Sequence, residues 1–317
     1  MRQPVYNPPP FFSNGHTQTI YASLFRKVDT VIYSRERIHT PDGDFLDLDW
    51  SATGRKKLAI LSHGLEGDTH RAYVKGMVRA LNKNGWDALA WNYRSCSGEP
   101  NRKLRSYHNG VTDDLATVIR HGKSAGYTEI GLIGFSLGGN LSLLYLGRER
   151  VEPLIKKAVV FSVPCDLAAS ARTLARPSNK LYMKRFLVLL HQKIKAKMKR
   201  LPGEIDDAGY HRIKDFKGFD DRYTAPIHGF KNAEDYWEKC SSKPFIPDIP
   251  VPTLIVNAQN DPFLPPECFP LEEAGRNPRV RLLTPQSGGH VGFIKFNRHR
   301  LYWSEEQAVR FLNNDCL

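Results

Sequence analysis

The sequence predicts an α/β fold: a mostly parallel central sheet with flanking helices, and a helical lid insertion at about residues 164–250. Three observations carry this expectation. Short apolar, β-branched runs alternate with stretches of helical periodicity through the middle of the chain. Several of these runs are apolar at consecutive positions, as strands covered on both faces must be. The alternation stops near residue 164 and resumes near residue 250, where Pro247, Pro250 and Pro252 punctuate the return. A chain of 317 residues can bury the core of one α/β domain with an inserted segment, so residues 1–317 are expected to form a single domain containing the insertion.

In chain order, Val31–Ile38 and the alternating DFLDLDW of Asp44–Trp50 predict an antiparallel start, joined by the turn-forming Pro41-Asp42-Gly43. Strands are then expected at Lys57–Ser62, Trp86–Tyr93, Glu129–Phe135, Lys157–Val163, Thr253–Ala258 and Val280–Thr284. Helices fall between them, around residues 71–84, 112–125 and 137–149, with a last one near 304–313. In the second, Val111, Leu115, Val118 and Ile119 recur at helical spacing. Such alternation is the pattern of parallel strands joined by crossover helices.

Composition narrows the class. The chain is 41% hydrophobic and 25% charged, as soluble globular proteins are. Its 46 basic and 33 acidic residues give a formal charge of +13, which favours anionic surfaces. No zinc-finger, RNA-binding or basic-zipper pattern accompanies that charge, so a nucleic-acid partner is not expected. The five cysteines (Cys96, Cys165, Cys240, Cys268 and Cys316) are dispersed and form no CxxC pair, which predicts neither a disulfide framework nor a metal site. The N-terminus lacks the pattern of a secretion signal, and no apolar run approaches the length of a spanning helix. A cytoplasmic protein without metal or organic cofactor is expected.

The chemistry centres on Gly134-Phe135-Ser136-Leu137-Gly138, a G-x-S-x-G match placed after a strand and before a helix. A serine at so sharp a turn adopts strained backbone angles, and side chains two residues to either side would collide with the neighbouring elements. The Leu137 N–H, at the start of the next helix, can then stabilise an oxyanion. A dinucleotide-type turn would need G-x-G-x-x-G, and Ser136 occupies the middle glycine's place.

A serine nucleophile needs a base, a carboxylate to hold that base, and a second oxyanion donor. Asp261 lies just past the Thr253–Ala258 strand, and His290 lies on a glycine loop after Val280–Thr284. The order is serine, acid, histidine. Asp166, after the Lys157–Val163 strand, is the rival acid, whereas Asp220 and Asp221 fall too early in the insertion. The strand Lys57–Ser62 runs into His63-Gly64-Leu65-Glu66-Gly67, an HG-x-x-G loop in which the Leu65 N–H is the natural partner of that of Leu137, and His63 shapes the loop.

Beyond the three residues of the triad themselves, four stretches extend the pattern: PPFFSNGHTQTI (Pro9–Ile20), SHGLEG (Ser62–Gly67), FDDRYTAPIHGF (Phe219–Phe230) and GGHVGF (Gly288–Phe293). With them the sequence resembles the α/β-hydrolase superfamily, and within it the YheT-like esterase and abhydrolase branch. The resemblance implies Ser136, Asp261 and His290 as triad and an activity on carboxylic esters with fatty acyl groups. The expected function is therefore an esterase or lipase-like hydrolase working through an acyl-enzyme. An acyltransferase sharing that intermediate, or a non-catalytic lipid-binding protein of the same fold, is the alternative. The FDDRYTAPIHGF segment is expected to support the site, with His228 not the base.

Within the insertion, residues 181–201 place Leu187, Leu190, Ile194, Met198 and Leu201 on one stripe, surrounded by Lys184, Lys193, Lys195, Lys197, Lys199 and Arg200. Such a helix either lies on an anionic membrane surface or lays its stripe over the sheet as a lid, with the lysines in water.

Overall fold

The computed structural model describes residues 5–314. Eight strands form one sheet: β1 Ser34–His39, β2 Phe45–Ser51, β3 Lys57–Ser62, β4 Asp87–Trp91, β5 Glu129–Phe135, β6 Ile155–Phe161, β7 Thr253–Val256 and β8 Val280–Leu283. Their order is β1-β2-β4-β3-β5-β6-β7-β8, with β2 antiparallel to both neighbours and every other pair from β4 onward parallel. The expected fold class is borne out. β1 begins three residues later than the Val31–Ile38 reading, and the hairpin closes through Gly43 at φ +80°, a conformation that favours glycine.

The helices are α1 Gly15–Leu24, α2 Ala72–Lys83, α3 Thr112–Ser124, α4 Leu137–Arg148, α5 Leu167–Leu174, α6 Lys180–Arg200, α7 Phe216–Phe219, α8 Ala225–His228, α9 Ala233–Cys240, α10 Leu271–Gly275 and α11 Trp303–Asn313. A π-helical turn, Asp220–Thr224, joins α7 to α8. Strand alternation divides the core into two layers. In β3, Leu58 and Ile60 face a cluster with Leu115, Val118 and Leu141 of α3 and α4. Ala59 and Leu61 face the opposite one, with Met77, Val78, Trp303 and Ala308 of α2 and α11. That double burial explains the continuous apolar runs.

Chain progression reverses at β3: the sheet runs outward through β4 on one side and through β5 on the other. A crevice opens at the carboxyl ends of strands at such a switch point, and ligands bind there. The His63–Gly67 loop leaves β3, and Ser136 leaves β5, at this position.

The segment between β6 and β7 builds its own core. Met183, Leu187, Leu190 and Ile194 of α6 are buried against Leu174, Tyr210, Phe219 and Phe263. The apolar stripe of α6 therefore faces protein. Not all the lysines around it face water. Lys197 is buried and donates to the Arg105 carbonyl at 3.0 Å and to the Lys103 carbonyl, while Lys193 pairs with Glu66 at 3.1 Å. Among the described residues no helix is long and apolar enough to cross a membrane.

Candidate active site

Ser136 sits between β5 and α4 at φ 52° and ψ −119°, a strained conformation for a non-glycine residue. The flanking glycines make it achievable. A Cβ on Gly134 would lie 2.5 Å from the Gly138 carbonyl oxygen, and one on Gly138 would lie 2.3 Å from the carbonyl oxygen of Ser62. The turn is pinned by the Ser136 N–H donating to the Phe161 carbonyl of β6 at 2.9 Å.

The structure brings the three expected residues of the triad into contact. His290 Nε2 lies 2.9 Å from Ser136 Oγ, and His290 Nδ1 lies 2.9 and 3.1 Å from the two oxygens of Asp261. Asp261 is buried, and its Oδ1 also accepts the N–H of Phe263 at 2.9 Å, which fixes the carboxylate in its loop. The Phe263 ring packs on the imidazole with centroids 4.2 Å apart. Both His290 nitrogens are thereby engaged: Nδ1–H toward the acid, and Nε2 as acceptor toward the serine hydroxyl.

The rival groups are occupied elsewhere. Asp166 caps α5 by accepting the Ala169 N–H at 2.9 Å. Asp220 accepts from Thr224 Oγ1 at 2.6 Å and from Trp237 Nε1 at 2.8 Å, and burial pushes its carboxyl up to about 7. Asp221 accepts the Ala233 N–H at 2.8 Å. His228 lies 2.8 Å from the Thr224 carbonyl through Nδ1 and 3.0 Å from the Ser106 carbonyl through Nε2, its ring tilted against that of His108, and it does not line the cavities at Ser136. His63 is buried, with Nδ1 donating to the Gly64 carbonyl at 2.8 Å and Nε2 accepting the Tyr93 N–H at 3.3 Å. Burial pushes its imidazole down to about 3, so it stays neutral and shapes the loop.

Around Leu65 the loop is wired closely. The Gly64 N–H donates to Tyr73 Oη at 2.9 Å, the Glu66 N–H to Tyr107 Oη at 3.0 Å, and the Gly67 N–H to the Gly64 carbonyl at 3.0 Å. Glu66, at φ 53°, is held by Tyr107, whose hydroxyl donates to its carboxylate at 2.5 Å, and by Lys193 of α6. The Leu65 and Leu137 N–H groups have no acceptor among the described residues. Both residues border the cavity that contains Ser136 and His290. Two free N–H donors beside a serine are what an oxyanion requires.

Two cavities meet at Ser136, sharing Leu65, Phe186, Phe263 and His290 as walls. The inner one runs under the insertion between Leu167, Leu174, Leu190, Phe219 and Trp237. The outer one opens between α1 and α6, past Ile20, Leu24, Tyr182, Arg185 and Leu189.

Sequence reasoning missed one set of positioning groups. The α1 segment, capped by Asn14 Oδ1 accepting from the His16 and Thr17 N–H groups, packs on the acid and histidine loops. Thr19 Oγ1 accepts the main-chain N–H of His290 at 2.8 Å while donating to the Gly15 carbonyl at 2.7 Å. Asn260 Oδ1 accepts the Gly289 N–H at 3.0 Å and its Nδ2 donates to the Ser13 carbonyl at 2.8 Å. Ser162 Oγ accepts the Val291 N–H at 2.9 Å. The only signal for α1 was the SNGHTQT string itself, which has no apolar periodicity.

Comparisons with known proteins agree with this architecture. The α/β hydrolase fold family matches residues 59–296. An Escherichia coli protein named as an esterase, YheT, is 36% identical over 309 residues, covering 95% of this chain and 91% of that protein. Phospholipase ABHD3 of Homo sapiens is 29% identical, covering 92% of this chain and 74% of that protein. Among solved structures, esterase Pf2001 of Pyrococcus furiosus superposes with a TM-score of 0.61 at 18% identity, covering 98% of both chains, and so shares the fold. The chain belongs to the α/β-hydrolase fold family, in its YheT-like esterase branch.

Proposed function

We propose that this protein is a serine carboxylic ester hydrolase that works through an acyl-enzyme. The observation that carries the reading is the unbroken chain from Asp261 through His290 to Ser136, with 2.9 Å at each link. Ser136 Oγ attacks the acyl carbonyl as His290 Nε2 takes its proton. Asp261 holds the imidazole in the required tautomer and stabilises the imidazolium. The Leu65 and Leu137 N–H groups receive the oxyanion. His290 then protonates the departing alcohol, and water, activated by the same imidazole, resolves the acyl-enzyme.

The apolar walls of the inner cavity suit the acyl group, and the outer cavity gives the alcohol a route out between α1 and α6. Residues 164–250 act as the lid of a single domain, covering the site and excluding water. The names of the relatives, esterase and phospholipase, support an ester substrate. The four cysteines of the described residues are unpaired, which suits a reducing cytoplasm.

The test is hydrolysis of p-nitrophenyl esters of increasing chain length by wild type, Ser136→Ala and His290→Ala. Wild type is expected to turn over at least one of them, with each variant reduced by about 10⁴-fold or more in kcat. Activity retained in Ser136→Ala, or no turnover and no covalent label from a fluorophosphonate in wild type, overturns the assignment.

A further inference from the structure

The helices on either side of the outer cavity share a property that the ester chemistry leaves unused. Ile20 and Leu24 of α1 line the cavity yet are 41% and 57% exposed, and Phe25 follows at 64%. On the opposite bank, Leu181 and Val188 of α6 are 79% and 49% exposed. Five of the ten large apolar side chains exposed among the described residues thus stand on these two banks. Single exposed apolar residues mean nothing, but a cluster at the mouth of a cavity marks a contact.

This face is distinct from the buried stripe of α6. At about 100° per residue, Leu181, Arg185 and Val188 fall on the side of the helix opposite Met183, Leu190 and Ile194. Neither α1 nor α6 contains an acidic residue, and Lys180, Lys184 and Arg185 are exposed on the α6 bank. Beyond α1, Arg26 is committed to Glu305 and exposed Lys27 is offset by exposed Asp29, so the free positive charge of the face is that of α6.

We propose that this face docks on an anionic lipid bilayer, so that the outer cavity opens onto the membrane and takes ester substrates from it. The apolar side chains enter the headgroup boundary while the lysines and arginine meet lipid phosphates. A second copy of the chain fits less well, because pairing this face with itself opposes two helices that carry no carboxylate, and the α6 lysines and arginine find no partner there. The delivery of substrate rests on the ester-hydrolase reading; the docking does not.

The test is flotation of the Ser136→Ala protein with phosphatidylcholine vesicles, with and without phosphatidylglycerol, at low and high salt. Binding is expected to the anionic vesicles at low salt and to weaken as salt rises. The charge-neutral double substitution Phe25→Ser/Leu181→Ser is expected to lower the partition coefficient about tenfold or more. In an otherwise wild-type chain, the same pair leaves turnover of a short soluble ester within about twofold, since neither residue borders the cavities. No flotation by a protein whose wild type hydrolyses the soluble ester overturns the docking and leaves the hydrolase reading standing. Undiminished flotation of the double variant assigns binding to the general positive charge and also overturns it. So does a dimer, seen by light scattering, that the double variant dissociates. Flotation by a chain that turns over no ester sinks the hydrolase reading and keeps the docking.

Discussion

Gly138→Ala adds one methyl to the tightest place in the elbow. The new carbon would lie 2.3 Å from the Ser62 carbonyl oxygen and 2.6 Å from that of His63. A carbon–oxygen contact settles at about 3.3 Å or more, so α4 and the end of β3 must part by roughly 1 Å. Both blocking atoms are main chain and directly precede Gly64 and Leu65, so the displacement passes into the oxyanion loop. A misplacement of about 1 Å costs about 10²-fold in rate, or about 2.7 kcal/mol of barrier. Overpacking adds about 1–3 kcal/mol of destabilisation, although alanine is the better helix former by about 1 kcal/mol. The assay is kcat on a p-nitrophenyl ester, with urea unfolding to show that the variant is folded. A folded Gly138→Ala with kcat within about threefold of wild type would refute the reasoning.

Three further outcomes are expected. Thr19→Val removes the acceptor of the His290 N–H but keeps the side-chain shape; kcat should fall about tenfold with KM nearly unchanged, and Thr19→Ser should restore it. Tyr107→Phe leaves the buried Glu66 N–H without its acceptor and frees the loop carrying Leu65; urea unfolding should show a loss of about 1–3 kcal/mol, with a lower kcat. His63 binds no proton in the folded protein until about pH 3, whereas the unfolded chain binds one near 6.5, so stability rises with pH between these values and is lost as pH falls. This group should remove roughly 1.5–2 kcal/mol between pH 6.5 and 5, and the NMR signature of its ring should stay neutral at pH 5; titration near 6.5 would contradict the assignment.

Much of the sheet and all of the proposed site residues were legible because they depend on local order along the chain. Strands buried on both faces print continuous apolar runs, and β3 and β5 lie where those runs predict them. Ser136, Asp261 and His290 each follow a strand end, so chain order alone places them at one edge of the sheet. What was illegible depends on partners distant in sequence. In α1 the buried residues are Gly15, Gln18 and Thr19, so the helix is held by hydrogen bonds and close approach to the acid and histidine loops and prints no apolar stripe. Lys197 falls beside Leu190 and Ile194 on the buried side of α6, and Lys193 at its edge, but a lysine in sequence reads as surface, and only the fold supplies the Glu66 carboxylate and the loop carbonyls that satisfy them inside. The π turn at Asp220–Thr224 has no sequence period, and Trp237, which holds Asp220 in it, is seventeen positions away.

The most direct measurement of the central claim is the acyl-enzyme itself. Wild-type protein mixed with a slow p-nitrophenyl ester and quenched in acid is examined by intact mass and peptide mapping. The expected result is one added acyl group on Ser136, absent in Ser136→Ala and formed at least about 10³-fold more slowly in His290→Ala. Turnover with no adduct, or an adduct on another residue, would contradict the account.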